Sequence, residues 1–197
     1  MSAPDPIAAA FDEARATLDA FLADSANLDA VRAFADAIEA TYARGGRLLA
    51  AGNGGSMCDA MHFVEEWTGC FRADRAALSA LSLGDPSQLT CIANDFGFDE
   101  VFARQVEANG REGDLLLAIS TSGNSPNILR AAEVGRERGI TVVGLLGKGG
   151  GKLLPLCDVA IVVPRADTSD RIQELHIKVI HTVIEAVERR LFPDNYA

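Results

Sequence analysis

From Arg47 onward the chain repeats one pattern: a short run of Leu, Val, Ile and Ala, then a stretch of helical length. The apolar runs are 48–51, 77–83, 114–119, 140–145 and 160–163. Helical stretches follow over 56–67, from Pro86 to about Ala93, from Asp99 to about Asn109, from Pro126 to about Arg138, and from about Ser169 to Arg190. Runs that are apolar at nearly every position belong to strands covered on both faces. Helices between such strands require parallel pairing through right-handed crossovers. The pattern predicts an α/β fold, a doubly wound five-stranded parallel sheet whose ligand crevice lies at the carboxyl ends of the strands.

Two further helices precede the repeat. Ile7, Phe11, Ala14, Leu18 and Phe21 recur at helical spacing, as do Leu28, Val31, Phe34, Ile38 and Tyr42, with Ser25 or Asn27 marking the break. Their apolar faces need cover, either from the domain itself or from another subunit in a four-helix arrangement; the second is the expectation. One domain over 1–197 is predicted, with 1–45 a helical hairpin used in oligomerisation and 46–197 the α/β core. A formal net charge of −10 without a basic run excludes a nucleic-acid surface and an anionic membrane as partners. No apolar stretch nears membrane-spanning length, and the N-terminus lacks the pattern of a signal peptide. Cys58, Cys70, Cys91 and Cys157 show no CxxC spacing, which predicts buried, reduced thiols in a cytoplasmic protein.

The first crevice loop follows Ala51: Gly52-Asn53-Gly54-Gly55-Ser56. Gly54 and Gly55 permit a tight turn with positive φ, and Ser56 is placed to cap the helix that follows. On that helix His62 and Glu66 share a face one turn apart. The third loop, Ser120-Thr121-Ser122-Gly123-Asn124-Ser125, gathers hydroxyls ahead of a helix starting at Pro126. Hydroxyls and backbone N–H groups at a helix start form a phosphate cradle that needs no lysine; the other reading is a polar turn capped by Ser125. The first loop lacks the third glycine of a dinucleotide fingerprint, and 147–153 has the composition but not the spacing of a Walker loop, so the latter is read as a turn rich in left-handed residues. On the last helix Asp170, Gln173, Ile177 and His181 form one face, either a solvated edge or an active-site wall. Ile172, Leu175, Val179, Val183 and Val187 form a core stripe, and His176, on a third face, is read as structural.

Together Gly52–Ser56, Asp59-Ala-Met-His62-Phe, Glu65-Glu66, 94–98, Gly113-Asp114, Ser120–Ser125 and 171–181 resemble the phosphoheptose isomerases, the sedoheptulose-7-phosphate isomerases of the sugar-isomerase (SIS) fold. The resemblance runs from about Arg47 to Glu188, and the N-terminal helices suit it. It implies a flavodoxin-like strand order and a homotetramer with sites shared between subunits. The activity implied is interconversion of D-sedoheptulose 7-phosphate and D-glycero-D-manno-heptose 7-phosphate through an enediol, early in nucleotide-activated heptose synthesis. Matched by position, Glu66 is the general base and His181 the general acid. Asn53, Gly54, Gly55, Ser56, Asn94, Asp95, Ser120, Thr121, Ser122, Ser125, Asp170 and Gln173 match substrate contacts. His62, Glu66, Gln173 and His181 match zinc ligands. Many relatives carry arginine at the position of Cys70. The same fold also occurs in non-catalytic phosphosugar-binding and replication-initiator-associated proteins; those lose catalytic polar residues, whereas Glu66 and His181 are present here.

Overall fold

The structure, a computed structural model, describes residues 5–164 and 166–197. Two N-terminal helices, α1 (Pro6–Ala23) and α2 (Ser25–Ala43), lead into β1 (Leu48–Gly52), α3 (Gly55–Thr68), β2 (Ala80–Ser82), α4 (Pro86–Phe96), α5 (Ala103–Asn109) and β3 (Leu115–Ser120). The chain continues through α6 (Pro126–Glu137), β4 (Thr141–Gly147), β5 (Val159–Val163) and the long α7 (Ser169–Leu191). All five strands are parallel, in the order β2-β1-β3-β4-β5.

Side-chain alternation along the central strands divides the core in two. Leu48, Ala50, Leu115, Leu117 and Ile119 face a layer formed by α2, α3 and α7, where Phe34, Phe63, Trp67, Val179 and Ile184 are fully or nearly fully buried. Leu49, Ala51, Leu116 and Ala118 face the opposite layer, with Val101, Phe102, Val106, Ile128 and Ala131. Every residue of β1 and β3 is buried, which is why both read as unbroken apolar runs. The predicted core stripe of α7 is buried throughout, from Ile172 to Val187.

Several local expectations are corrected. The helix break falls at Asp24, whose carboxylate accepts from Ala26 N and caps α2. Strand β2 spans three residues rather than seven, because it is a half-exposed edge with one neighbour. Asn94, Asp95 and Phe96 complete α4 instead of forming a loop; Gly97, with φ 93°, ends the helix. Asp99 lies inside a 3-10 turn, Phe98–Glu100, and α5 begins only at Ala103 without a side-chain cap. The cysteines are free, but Cys58, Cys70 and Cys91 are exposed: the inward positions of α3 are taken by Ser56, Ala60, Phe63 and Trp67 rather than Cys58, Cys70 follows the end of α3, and α4, which carries Cys91, buries no residue fully. The turn at 148–151 is left-handed at four successive residues, Lys148 included.

The N-terminal helices behave differently from each other. Helix α2 folds back on the sheet and buries Val31, Phe34, Ala35 and Ile38. Helix α1 buries Thr17 and Phe21 and leaves Ile7 and Phe11 70% and 75% exposed. No helix among the described residues is long and apolar enough to cross a membrane.

Candidate active site

Strands β1 and β3 are neighbours, and their crossovers leave on opposite sides of the sheet, so the loops after Gly52 and Ser120 flank the crevice of a doubly wound fold. A reciprocal amide pair joins them: Asn53 Nδ2 donates to Asn127 Oδ1, and Asn127 Nδ2 donates to Asn53 Oδ1, each at 2.9 Å. Asn127, 2% exposed in the first turn of α6, therefore fixes the orientation of Asn53.

The first loop differs in detail from its expected form. Gly54 alone has positive φ (56°); Gly55 already belongs to α3. Gly55 leaves room for the Gln173 amide: a Cβ there would lie 2.7 Å from Gln173 Oε1 and would displace the end of that side chain. Ser56 is not the cap. It lies inside the helix, 4% exposed, and its Oγ accepts from Gln173 Nε2 at 3.2 Å. The start of α3 is thus keyed to α7.

The hydroxyl loop is organised from within. Ser120 Oγ lies 3.1 Å from Ser125 Oγ and accepts from Gly123 N at 3.1 Å. Thr121 Oγ1 meets Ser169 Oγ at 3.2 Å, and Ser122 Oγ accepts from Asn124 N. Ser125 occupies the cap position of α6, but its side chain turns to Ser120. The left-handed turn braces this loop. Gly123 packs so tightly on Gly150 that a Cβ would come within 1.9 Å of its carbonyl oxygen, and Leu153 N donates to Gly123 O.

Below these loops, α3 and α7 bring three side chains together. His62 Nε2 lies 3.2 Å from Glu66 Oε1 and 3.3 Å from His181 Nε2. The Glu66 side chain is 13% exposed, and the Phe71 ring lies 5.8 Å from that of His181. Burial, then the neighbouring His62, lowers the His181 pKa below the ordinary imidazole value. Asp59, one turn before His62, is raised to about 6 by burial against the opposing pull of His62, and one of its oxygens is buried without a partner.

The donor set fits a divalent metal. The ligand atoms of His62, Glu66 and His181 lie within 4.8 Å of one another. Zinc bonds of about 2.0–2.1 Å at tetrahedral angles would separate adjacent ligand atoms by about 3.3 Å, and the two contacts to His62 Nε2 measure 3.2 and 3.3 Å. Two Nε2 atoms face each other, so one imidazole must present its lone pair, as a metal ligand does.

Comparison with known proteins matches this arrangement. The SIS domain family profile covers residues 11–147. A phosphoheptose isomerase of Edwardsiella ictaluri is 51% identical over 187 residues, 95% of this chain and 97% of its own. The chain belongs to the phosphoheptose isomerase family. Solved phosphoheptose isomerases agree in fold: that of Francisella tularensis superposes with a TM-score of 0.90 at 33% identity, covering 96% of this chain and 100% of its own. That of Neisseria gonorrhoeae gives 0.86 at 39% identity, covering 92% and 96%.

Of the residues a phosphoheptose isomerase was expected to use, the structure brings together Gly55, Ser56 and Gln173 at one contact zone, Ser120 and Ser125 at another, and His62, Glu66 and His181 at a third, while the Asn53 side chain pairs with Asn127. Gln173 directs its amide to Ser56. Asn94 and Asp95 are exposed at the end of α4 and bond each other (2.7 Å), and Asp170 is exposed at the start of α7. Arg72, next but one after Cys70, turns to Glu185 of α7 at 2.8 Å. His176 is structural as expected: fully buried, it meets Leu146 O at 3.0 Å, and burial pushes it down to about 4. The sequence reading gave no role to Asn127 and Ser169, two polar residues in the first turns of helices opening onto the crevice; that position was the available signal.

Proposed function

We propose that this protein interconverts D-sedoheptulose 7-phosphate and D-glycero-D-manno-heptose 7-phosphate through a cis-enediol, the first step toward a nucleotide-activated heptose. The observation that carries the reading is the convergence of His62 and Glu66 from α3 with His181 from α7, beside a hydroxyl loop suited to phosphate. Aldose–ketose isomerisation moves one proton between adjacent carbons and another between their oxygens. Glu66 engages His62 through Oε1, leaving Oε2 to take the carbon-bound proton. His181, whose pKa is lowered by burial and then by the neighbouring His62, passes a proton between the oxygens. Ser120, Thr121, Ser122 and Ser125 hold the distal phosphate, and Asn53, Ser56, Asn94, Asp95, Asp170 and Gln173 orient the sugar chain.

His62, Glu66, Gln173 and His181 would hold a zinc ion, a set of two imidazoles, a carboxylate and an amide. When bound, zinc supplies a Lewis acid beside the sugar carbonyl. The chain's own part is to present three of these ligand atoms, those of His62, Glu66 and His181, already gathered on two helices; Gln173, whose amide Nε2 is bonded to Ser56, would bring its Oε1 to the same ion.

The protein acts as a cytoplasmic homotetramer in this reading. Support comes from α1, whose Ile7 and Phe11 would find cover in a neighbouring subunit. The test is incubation of purified protein with sedoheptulose 7-phosphate, with and without a chelator, while following aldose formation. Turnover that the chelator abolishes and added zinc restores is the expected result. Turnover indifferent to the chelator removes the metal, and absence of turnover with zinc present removes the function. A monomer by light scattering at micromolar concentration removes the tetramer.

A further inference from the structure

Arg75 lies between α3 and β2, outside every segment that carries the resemblance, yet its side chain is only 1% exposed. A buried guanidinium needs its charge paired and its donors satisfied. Nε donates to Glu188 Oε1 at 2.5 Å, Nη2 to Glu66 O at 2.5 Å, and Nη1 to Trp67 O at 2.9 Å. Nη1 also approaches Ala76 O (3.1 Å) and Gly69 O (3.3 Å), and the rings of Trp67 and Phe192 lie 5.9 and 5.6 Å from the guanidinium carbon.

The carbonyls of Glu66 and Trp67 are among the last four of α3, which have no acceptor role inside the helix. A cation there also suits the negative end of the helix dipole. Arg75 is therefore the C-terminal cap of α3, and one of the carbonyls it holds belongs to Glu66 itself. Its counterion, Glu188, sits on α7, roughly two turns beyond His181. The Glu188 side chain is 2% exposed, and its second oxygen accepts from the Tyr196 hydroxyl at 2.8 Å. Helix α3 is thus pinned to α7 at both ends, by Ser56 and Gln173 at its start and by Arg75 and Glu188 at its finish, with His62 and Glu66 between.

We propose that Arg75, Glu188 and Tyr196 are positioning residues of the active site, a buried strut that sets the separation between Glu66 on α3 and His181 on α7. The inference rests on the reading that these two residues carry the proton transfers. Apart from the meeting of His62 with His181 at the site itself, the core between α3 and α7 is apolar, a packing that is non-directional. Proton transfer needs heavy atoms within about 2.6–3.2 Å, and a misplacement of about 1 Å can cost about 10²-fold in rate. A directional ion pair at the end of the helix that holds the base supplies the missing constraint. A second link between the same regions, Arg72 with Glu185, is solvent-exposed and sets no such distance.

The test compares Arg75→Lys, Glu188→Gln, Tyr196→Phe, Glu185→Gln and Glu66→Gln in the full chain, recording thermal melting, kcat and KM for sedoheptulose 7-phosphate well below each melting point. Arg75→Lys and Glu188→Gln are expected to lower kcat about tenfold or more while KM stays within about twofold, because geometry rather than binding is lost. The Arg75→Lys/Glu188→Gln double variant should be no slower than the slower single, since both break one link. Tyr196→Phe should lower kcat by a smaller factor, and Glu185→Gln should match the unaltered protein. Wild-type kcat in folded Arg75→Lys and Glu188→Gln, whatever their melting points, overturns the proposal. Should those two fail to fold, Tyr196→Phe decides alone, and unchanged kcat at a lowered melting point overturns it equally. Full activity in Glu66→Gln would instead overturn the reading of the site, leaving the strut variants to be judged on another base.

Discussion

At the end of the crevice proposed to hold the phosphate, the side chains have already found partners within the chain. Ser120 is bonded to Ser125, Asn53 to Asn127, and Gly123 is packed on the left-handed turn at 148–151. At the end proposed to carry the chemistry, two imidazole nitrogens face each other at 3.3 Å beside a carboxylate, an arrangement complete only when a proton or a cation joins them. One end holds its shape by its own hydrogen bonds. The other is held in shape by helices α3 and α7, whose burial in the core outweighs the crowding of like groups at their surface. A crevice built this way can seat the unreactive part of a ligand without rearrangement and reserve its tension for the atoms that react.

The sharpest way to break this comparison is to disable the reactive end alone. Glu66→Gln or His181→Gln is expected to lower kcat by about 10²–10⁴-fold, while calorimetric affinity for the phosphosugar changes by no more than a few-fold. Affinity lost in step with turnover would mean that the two ends are not separable.

A second expectation concerns His176, which ties α7 to the end of β4 just before the bracing turn. In the folded state it stays neutral down to about pH 4, whereas unfolded it takes a proton below its ordinary value of 6.5. The unfolded chain therefore binds more protons between these values, and stability falls as pH drops from about 6.5 to 4. The loss approaches about 3 kcal/mol across that window, readable from urea unfolding at stepped pH. His176→Gln should flatten the slope, and an equal slope in the variant would assign the acid sensitivity elsewhere.

Smaller effects sharpen the picture of the phosphate end. Asn127→Ala strands the Asn53 amide, at a cost of about 1–3 kcal/mol in stability, and should raise KM more than it lowers kcat. Ser125→Ala removes one hydroxyl contact, an expected KM increase of about five-fold. If either variant instead depresses kcat with KM unchanged, the hydroxyl loop takes part in the chemistry and the division between the ends fails.

The fold was legible because its central strands are buried on both faces, so Leu48–Gly52 and Leu115–Ser120 carry no polar residue until Ser120 ends the second. The edge strand β2 was overextended for the complementary reason: with one neighbour and half its surface exposed, its sequence is not tightly constrained. The reactive cluster was half legible. His62 and Glu66 declare their shared face by spacing, but their meeting with His181 depends on a contact 119 residues distant and came from the family resemblance. Gly55 was expected for a positive φ that the structure gives to Gly54 alone; what Gly55 offers is space for the Gln173 amide. The partners of Asn127 and Arg75, Asn53 and Glu188, lie 74 and 113 residues away; only the place of Asn127 in the first turn of a crevice helix hints at its role, and nothing local marks Arg75 as buried.

Asn53 is followed by Gly54, the setting in which an asparagine amide is most easily attacked by the next backbone nitrogen and lost as ammonia. That reaction needs the side chain to swing toward the following residue. The paired amides of Asn53 and Asn127 hold it across the crevice instead, with donor and acceptor both engaged. The same pair that joins the two loops thereby protects the protein against chemical ageing at a position where a spontaneous change to aspartate would set a negative charge beside the loop proposed to hold a phosphate.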